Sequence, residues 1–133
     1  MKLIIADSGP LIMLARSGLL DALRQVAGSI VVPATVFEEC PRDNRRPGAA
    51  AIVAALASGQ LAVHAGVDPR PPGDVPTLDA GEISALALAL ELKRPVLMDE
   101  RLGRQVAALH HIAVVGSAGI LLAVVLERAD EQS

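Results

Sequence analysis

The chain has 133 residues, of which 52% are hydrophobic and only 1% aromatic, with 12 Lys+Arg against 15 Asp+Glu and a formal net charge of -3. The length suits one domain covering 1–133, and the apolar content with modest charge excludes a disordered chain. Phe37 is the sole aromatic residue, which removes base-stacking platforms, and the acidic balance removes histone-like proteins.

The elements follow in chain order. Leu3, Ile4, Ile5 and Ala6 form a short apolar run that reads as a buried strand. Asp7, Ser8 and Pro10 then announce a helix carrying Leu11, Ile12 and Leu14. A second short helix is expected at about 19–26, and Gly28 breaks the chain before a strand of Ile30, Val31 and Val32. Pro33 opens a helix through Val36, Phe37 and Glu39. The segment 41–47 is a polar loop with Arg42, Arg45 and Arg46, followed by an Ala-rich helix over 49–57 and a short strand Leu61–Val63. Four prolines (Pro69, Pro71, Pro72, Pro76) make 68–76 a surface loop.

Asp79 followed three residues later by Glu82 is a capping-box start to a helix reaching Leu92 that is apolar nearly all round, hence buried on most sides. Val96, Leu97 and Met98 form the next strand, and Asp99, Glu100 and Arg101 open a helix to about Leu109. Ile112, Ala113, Val114 and Val115 give a last strand, and Gly116 leads into a helix ending near Glu127. The apolar stretch 112–126 contains Gly116, Ser117 and Gly119 and is shorter than the ~20 residues of a membrane span. Cys40, the single cysteine, pairs with nothing inside the chain; a cytoplasmic protein is expected. Strands alternating with helices predict an α/β fold with a mostly parallel sheet covered on both faces.

In such a sheet, ligands bind beyond the carboxyl ends of the strands. Asp7 and Asp99 each follow a strand, Glu82 lies in the first turn of the buried helix, and Glu39, with Glu38 beside it, closes the helix after the second strand. Four carboxylates from four segments can converge on one cleft. Gathered carboxylates repel unless a cation compensates, and an all-oxygen set favours a hard ion, Mg²⁺ or Mn²⁺, able to activate water and stabilise phosphoryl charge. The same acids also fit plainer duties: Asp7, Ser8 and Asp99 as helix caps, Glu82 as the return partner of Asp79, and Glu100 as a solvated first-turn acid. A phosphotransfer receiver is disfavoured, because the two lysines, Lys2 and Lys93, do not follow a late strand.

Together these pieces resemble the PIN-domain family, in particular VapC-like bacterial toxins of a divergent branch. The matching residues are Ile5-Ala6-Asp7-Ser8-Gly9-Pro10-Leu11-Ile12, then Val32-Pro33 with Val36 and Glu39, and Leu78-Asp79-Ala80-Gly81-Glu82. They continue with Val96-Leu97-Met98-Asp99-Glu100-Arg101-Leu102-Gly103-Arg104 and the run from Ile112 through Gly116-Ser117 to Leu121. The resemblance implies a three-layer α/β/α sandwich and a Mg²⁺- or Mn²⁺-dependent endoribonuclease, the toxin of a toxin–antitoxin pair. It assigns catalytic and metal-binding roles to Asp7, Glu39, Glu82 and Asp99, and matches Ser8 to the polar residue after the first acid. It departs from many relatives at Gly116-Ser117, where they carry a further acid. Arg101 and Arg104, one turn apart, are candidates for RNA phosphates, with Arg42, Arg45 and Arg46 as a second basic cluster. The last helix, with Ile120, Leu121, Leu122, Val124, Val125 and Leu126, is the candidate contact for a homodimer or an antitoxin. The alternative is a catalytically weak PIN-like module that binds nucleic acid or protein.

Overall fold

A computed structural model describes residues 2–40, 47–64 and 78–132. The arginine cluster at 42–46 and the proline-rich segment 68–76 lie outside the described residues. The elements run β1 (Leu3–Ala6), α1 (Ser8–Arg16), α2 (Leu20–Ala27), β2 (Ser29–Val32), α3 (Ala34–Glu39), α4 (Ala49–Ala57) and β3 (Leu61–Val63). They continue with α5 (Ala80–Leu92), β4 (Val96–Leu97), α6 (Arg101–Leu109), β5 (Val114–Val115) and α7 (Ser117–Gln132).

The five strands form one sheet of order β3-β2-β1-β4-β5, and every pairing is parallel. The central strand β1 pairs Ile4 with Ile30 on one side and Ile5 with Val96 on the other. Helices cover both of its faces, so its residues are apolar without alternation: Ile4, Ile5 and Ala6 are all fully buried. One layer contains α1 packed on α2 and α4, with α7 against α2; the other contains α5 beside α6, with α3 against α5. This is a three-layer α/β/α sandwich.

Helix α5 explains part of the apolar excess. Ala85, Leu86, Ala87, Leu88 and Ala89 are all buried, because α3, β1, β4 and α6 surround the helix. Each large side chain so enclosed contributes about 1.5–3 kcal/mol. Gly28 turns the chain from α2 into β2 at φ 91, and a Cβ there would overlap the backbone of Lys2, so the position demands glycine.

The largest boundary differences from expectation lie at the C-terminal end, beside smaller ones such as β4 ending at Leu97 rather than Met98. The last strand is confined to Val114–Val115, and α7 continues to Gln132 rather than stopping near Glu127. Nothing after Glu127 stops a helix: Arg128, Ala129, Asp130 and Glu131 contain neither glycine nor proline. Among the described residues, no helix is long and apolar enough to cross a membrane.

Candidate metal and phosphate site

Because the strands are parallel, their carboxyl ends share one edge, and the acids that follow them gather there. The backbone N–H of Asp7 donates to the carbonyl of Leu97 at 3.0 Å, which brings the exit of β1 beside the exit of β4. A cleft of about 490 Å³ opens at this edge, lined by Asp7, Ser8, Asp79, Glu82, Asp99, Glu100 and Arg101 with Gly9 and Pro10. Five carboxylates therefore face one space with one guanidinium at its wall.

Their surroundings differ sharply. Asp7 is 5% exposed, occupies the N-cap position of α1, yet makes no side-chain cap bond. Its Oδ1 is buried with no hydrogen-bond partner. Burial raises its pKa from 3.8 to about 6, helped by the charges of Asp79, Glu39 and Glu100 and opposed by the backbone N–H of Ser8. Glu82, also buried, rises from 4.5 to about 7, first through burial and then through the charge and hydrogen bond of Asp79 and the charges of Asp7 and Glu100. Asp79 accepts the Glu82 N–H at 2.7 Å through Oδ1, the forward half of a capping box.

Glu39 ends α3 and is not among the residues lining the cleft. It is tied to it by Ser8, whose Oγ donates to Glu39 Oε2 at 2.8 Å. Gly81 makes room for this carboxylate, since a Cβ there would overlap Glu39 Oε1. Asp99 does not cap α6: the N-cap residue of that helix is Glu100, which makes no side-chain cap bond. Instead both Asp99 oxygens accept from Ser117, Oδ1 from the backbone N–H at 2.8 Å and Oδ2 from Oγ at 2.6 Å. A Cβ on Gly116 would lie 2.6 Å from Arg104 Nη1 and 3.2 Å from Asp99 Oδ1, so the missing side chain lets the guanidinium and the carboxylate approach the same point.

The structure thus brings Asp7, Ser8, Glu82, Asp99 and Arg101 to one cleft, sets Glu39 and Arg104 beside it, and adds three residues. Asp79 was legible only as a cap, Glu100 only as a first-turn acid, and Ser117 only as a departure from a pattern. Their shared signal is position: each follows or precedes an element boundary at the same sheet edge.

The donor set is all oxygen and anionic, a chemistry that suits a hard divalent cation, and Asp7 Oδ1 is a buried acceptor with no donor. Among the described residues, no three His, Cys, Asp or Glu side chains already stand close enough to hold an ion together.

The chain is an open, wholly parallel α/β sheet with carboxylates gathered beyond its central strands, the place where such folds bind ligands. Residues 3–131 match the family model described as PIN domain, and the chain belongs to the PIN-domain family. Among solved structures, a PilT N-terminus domain protein from the hyperthermophilic archaeon Sulfolobus solfataricus P2 is similar in fold. Its TM-score is 0.66 at 14% identity, over 92% of this chain and 92% of that chain. No curated protein matches the chain.

Proposed function

We propose that this chain is a Mg²⁺- or Mn²⁺-dependent endoribonuclease, a single domain spanning 1–133 that acts in the bacterial cytoplasm as the toxin of a toxin–antitoxin pair. The observation that carries this reading is Asp7: a buried carboxylate with a donorless oxygen in a cleft lined by four further acids. Such a cleft repels a phosphate backbone until its charge is compensated. A bound divalent cation would supply that compensation, acidify a water and draw charge from the phosphoryl oxygens.

The chain's own residues do the rest. Asp7 and Glu82 form the heart of the site; burial lifts their pKa to about 6 and about 7, so a cation would compete with their protons near neutral pH. Glu39 and Asp99, tied to Ser8 and Ser117, flank it. Arg101 at the cleft wall and Arg104 beside Asp99 hold phosphates flanking the scissile bond. In the reaction, water oxygen bonds to phosphorus, the bond from phosphorus to the leaving sugar oxygen breaks, and that oxygen takes up a proton.

The test is cleavage of single-stranded RNA with Mn²⁺ by wild type, Asp7→Asn and Glu82→Gln. Loss of cleavage in both variants and in chelator is expected. Cleavage that survives both substitutions, or ignores chelator, overturns the reading.

A second reading, a weakly catalytic module acting through a partner, is favoured by α7. Leu122, Val125 and Leu126 are 60%, 62% and 57% exposed along one helix. In either reading this stripe is the surface for a second copy or an antitoxin, and light scattering of the pure chain at rising concentration tests the homodimer.

A further inference from the structure

Five of the helices are followed within two residues by a left-handed backbone turn. Helices α1, α2 and α4 make it with a glycine, Gly18, Gly28 and Gly59, at φ 70°, 91° and 78°. Glycine is the ordinary occupant of such a position, because it carries no Cβ to clash. Helices α5 and α6 use Lys93 and His111 instead, at φ 55° and 59°. Among the described residues these are the only non-glycine residues with positive φ, and both line the same pocket, of about 230 Å³. It opens at the amino edge of the sheet, where Pro95 leads into β4, opposite the acidic cleft. Buried Ala89 and Ile112 give it an apolar floor, Arg94 is a third cationic residue at its wall, and no carboxylate is among its lining residues. The neighbouring groove shares Arg94 and Pro95 and adds Lys2, so both lysines of the chain stand at this edge. The helix ends do not explain the choice of Lys and His over glycine. Backbone groups already cap both last turns: the Arg94 N–H donates to Ala89 O at 3.0 Å, that of His111 to Ala108 O at 3.2 Å and that of Ile112 to Ala107 O at 2.9 Å.

We infer that this pocket is a second, metal-independent site that takes the phosphate group of a nucleotide unit through Lys93 and His111, with Arg94 at its wall. Lysine supplies a point charge, arginine a planar fork, and histidine an N–H donor in either protonation state. The apolar floor and Pro95 suit the carbon skeleton that carries the phosphate, and the volume lies below the roughly 300 Å³ at which pockets for drug-sized ligands begin, so one nucleotide unit is the fitting size. The same chemistry serves a free nucleotide and one unit of an RNA strand. The site stands whether or not the acidic cleft binds metal, since the two share no lining residue.

Binding of a nucleoside monophosphate, and of a single-stranded RNA of about ten nucleotides, to the intact chain in chelator at low salt tests this. The imidazole NMR signals of His111, identified by their loss in His111→Gly, should shift with either ligand, and affinity should fall as salt rises. Lys93→Gly and His111→Gly should each bind at least about fivefold more weakly. Both should also melt at or above the wild-type temperature, because glycine relieves the left-handed backbone. RNA bound much more tightly than the monophosphate makes the pocket a dock for a strand, and equal affinity makes it a seat for a free nucleotide; either result supports the site. An unmoved His111 signal with both ligands overturns it. So does wild-type binding by both variants, and if they also melt lower, Lys93 and His111 serve only the negative carboxyl ends of their helices.

Discussion

Replacing Asp7 by Asn isolates the electrostatic strain of the cleft. Asp7 is 5% exposed, and burial with the charges of Asp79, Glu39 and Glu100 lifts its pKa from 3.8 to about 6. The folded chain therefore holds this proton more tightly than the unfolded chain does. The stability it confers is full below about pH 4 and is lost as pH rises through 6, after which both states are ionised and the loss is constant. A tenfold change in proton affinity is worth about 1.4 kcal/mol, so the interval from 3.8 to about 6 corresponds to about 3 kcal/mol at pH 8. Asn keeps the shape and discards the charge, but its amide must also find partners, so a net gain of about 2 kcal/mol is expected, or roughly 5–10 °C in Tm. Thermal unfolding of both proteins in chelator at pH 8 and at pH 4 measures it. The variant should be the more stable at pH 8, and its advantage should fall below about 1 kcal/mol at pH 4. Adding Mn²⁺ at pH 8 should raise the wild-type midpoint and leave the variant nearly unmoved, because only a state that binds ligand is stabilised by it. A variant no more stable than wild type at pH 8, or a difference independent of pH, refutes the account of Asp7 as a buried, uncompensated charge.

Gly81→Ala should leave Tm nearly unchanged, since Ala in a helix gains about 1 kcal/mol while the displaced group is only the end of Glu39. It should nevertheless break the Ser8–Glu39 hydrogen bond and lower RNA cleavage severalfold. Gly103→Ala sets a Cβ against the sulfur of fully buried Met98 and should cost about 1–3 kcal/mol in urea unfolding; a neutral result means Met98 has another rotamer to occupy. Leu122→Glu with Val125→Glu should change monomer stability by less than about 1 kcal/mol while abolishing any association seen by light scattering. RNA affinity should fall steeply with salt, and Arg101→Gln should reduce the log–log slope by about 0.7–0.9, the share of one phosphate contact.

The strands were legible because buried parallel strands are unbroken apolar runs, and α1, α3 and α5 because they open on Asp7, Pro33 and Asp79. Ile4-Ile5-Ala6 and the all-round apolar α5 read correctly for that reason. The alternation itself placed Asp7 and Asp99 on one sheet edge, since a parallel sheet has only one edge of carboxyl ends. The end of α7 was less legible, because helix propensity continues past Glu127 without a stop signal.

What sequence could not allot was the work of each acid. Asp7, Asp79, Asp99 and Glu100 look alike as residues just ahead of helices. Only the fold decides which of them meets a donor: Ser117, eighteen residues downstream, reaches Asp99 because β5 lies beside β4, while the donorless Oδ1 of Asp7 is sealed in at the head of the central strand. The apolar excess divides in the same way. Packing encloses α5 on nearly every side and leaves a face of α7 in water, and periodicity alone cannot tell a helix surrounded by neighbours from one at the margin of its layer.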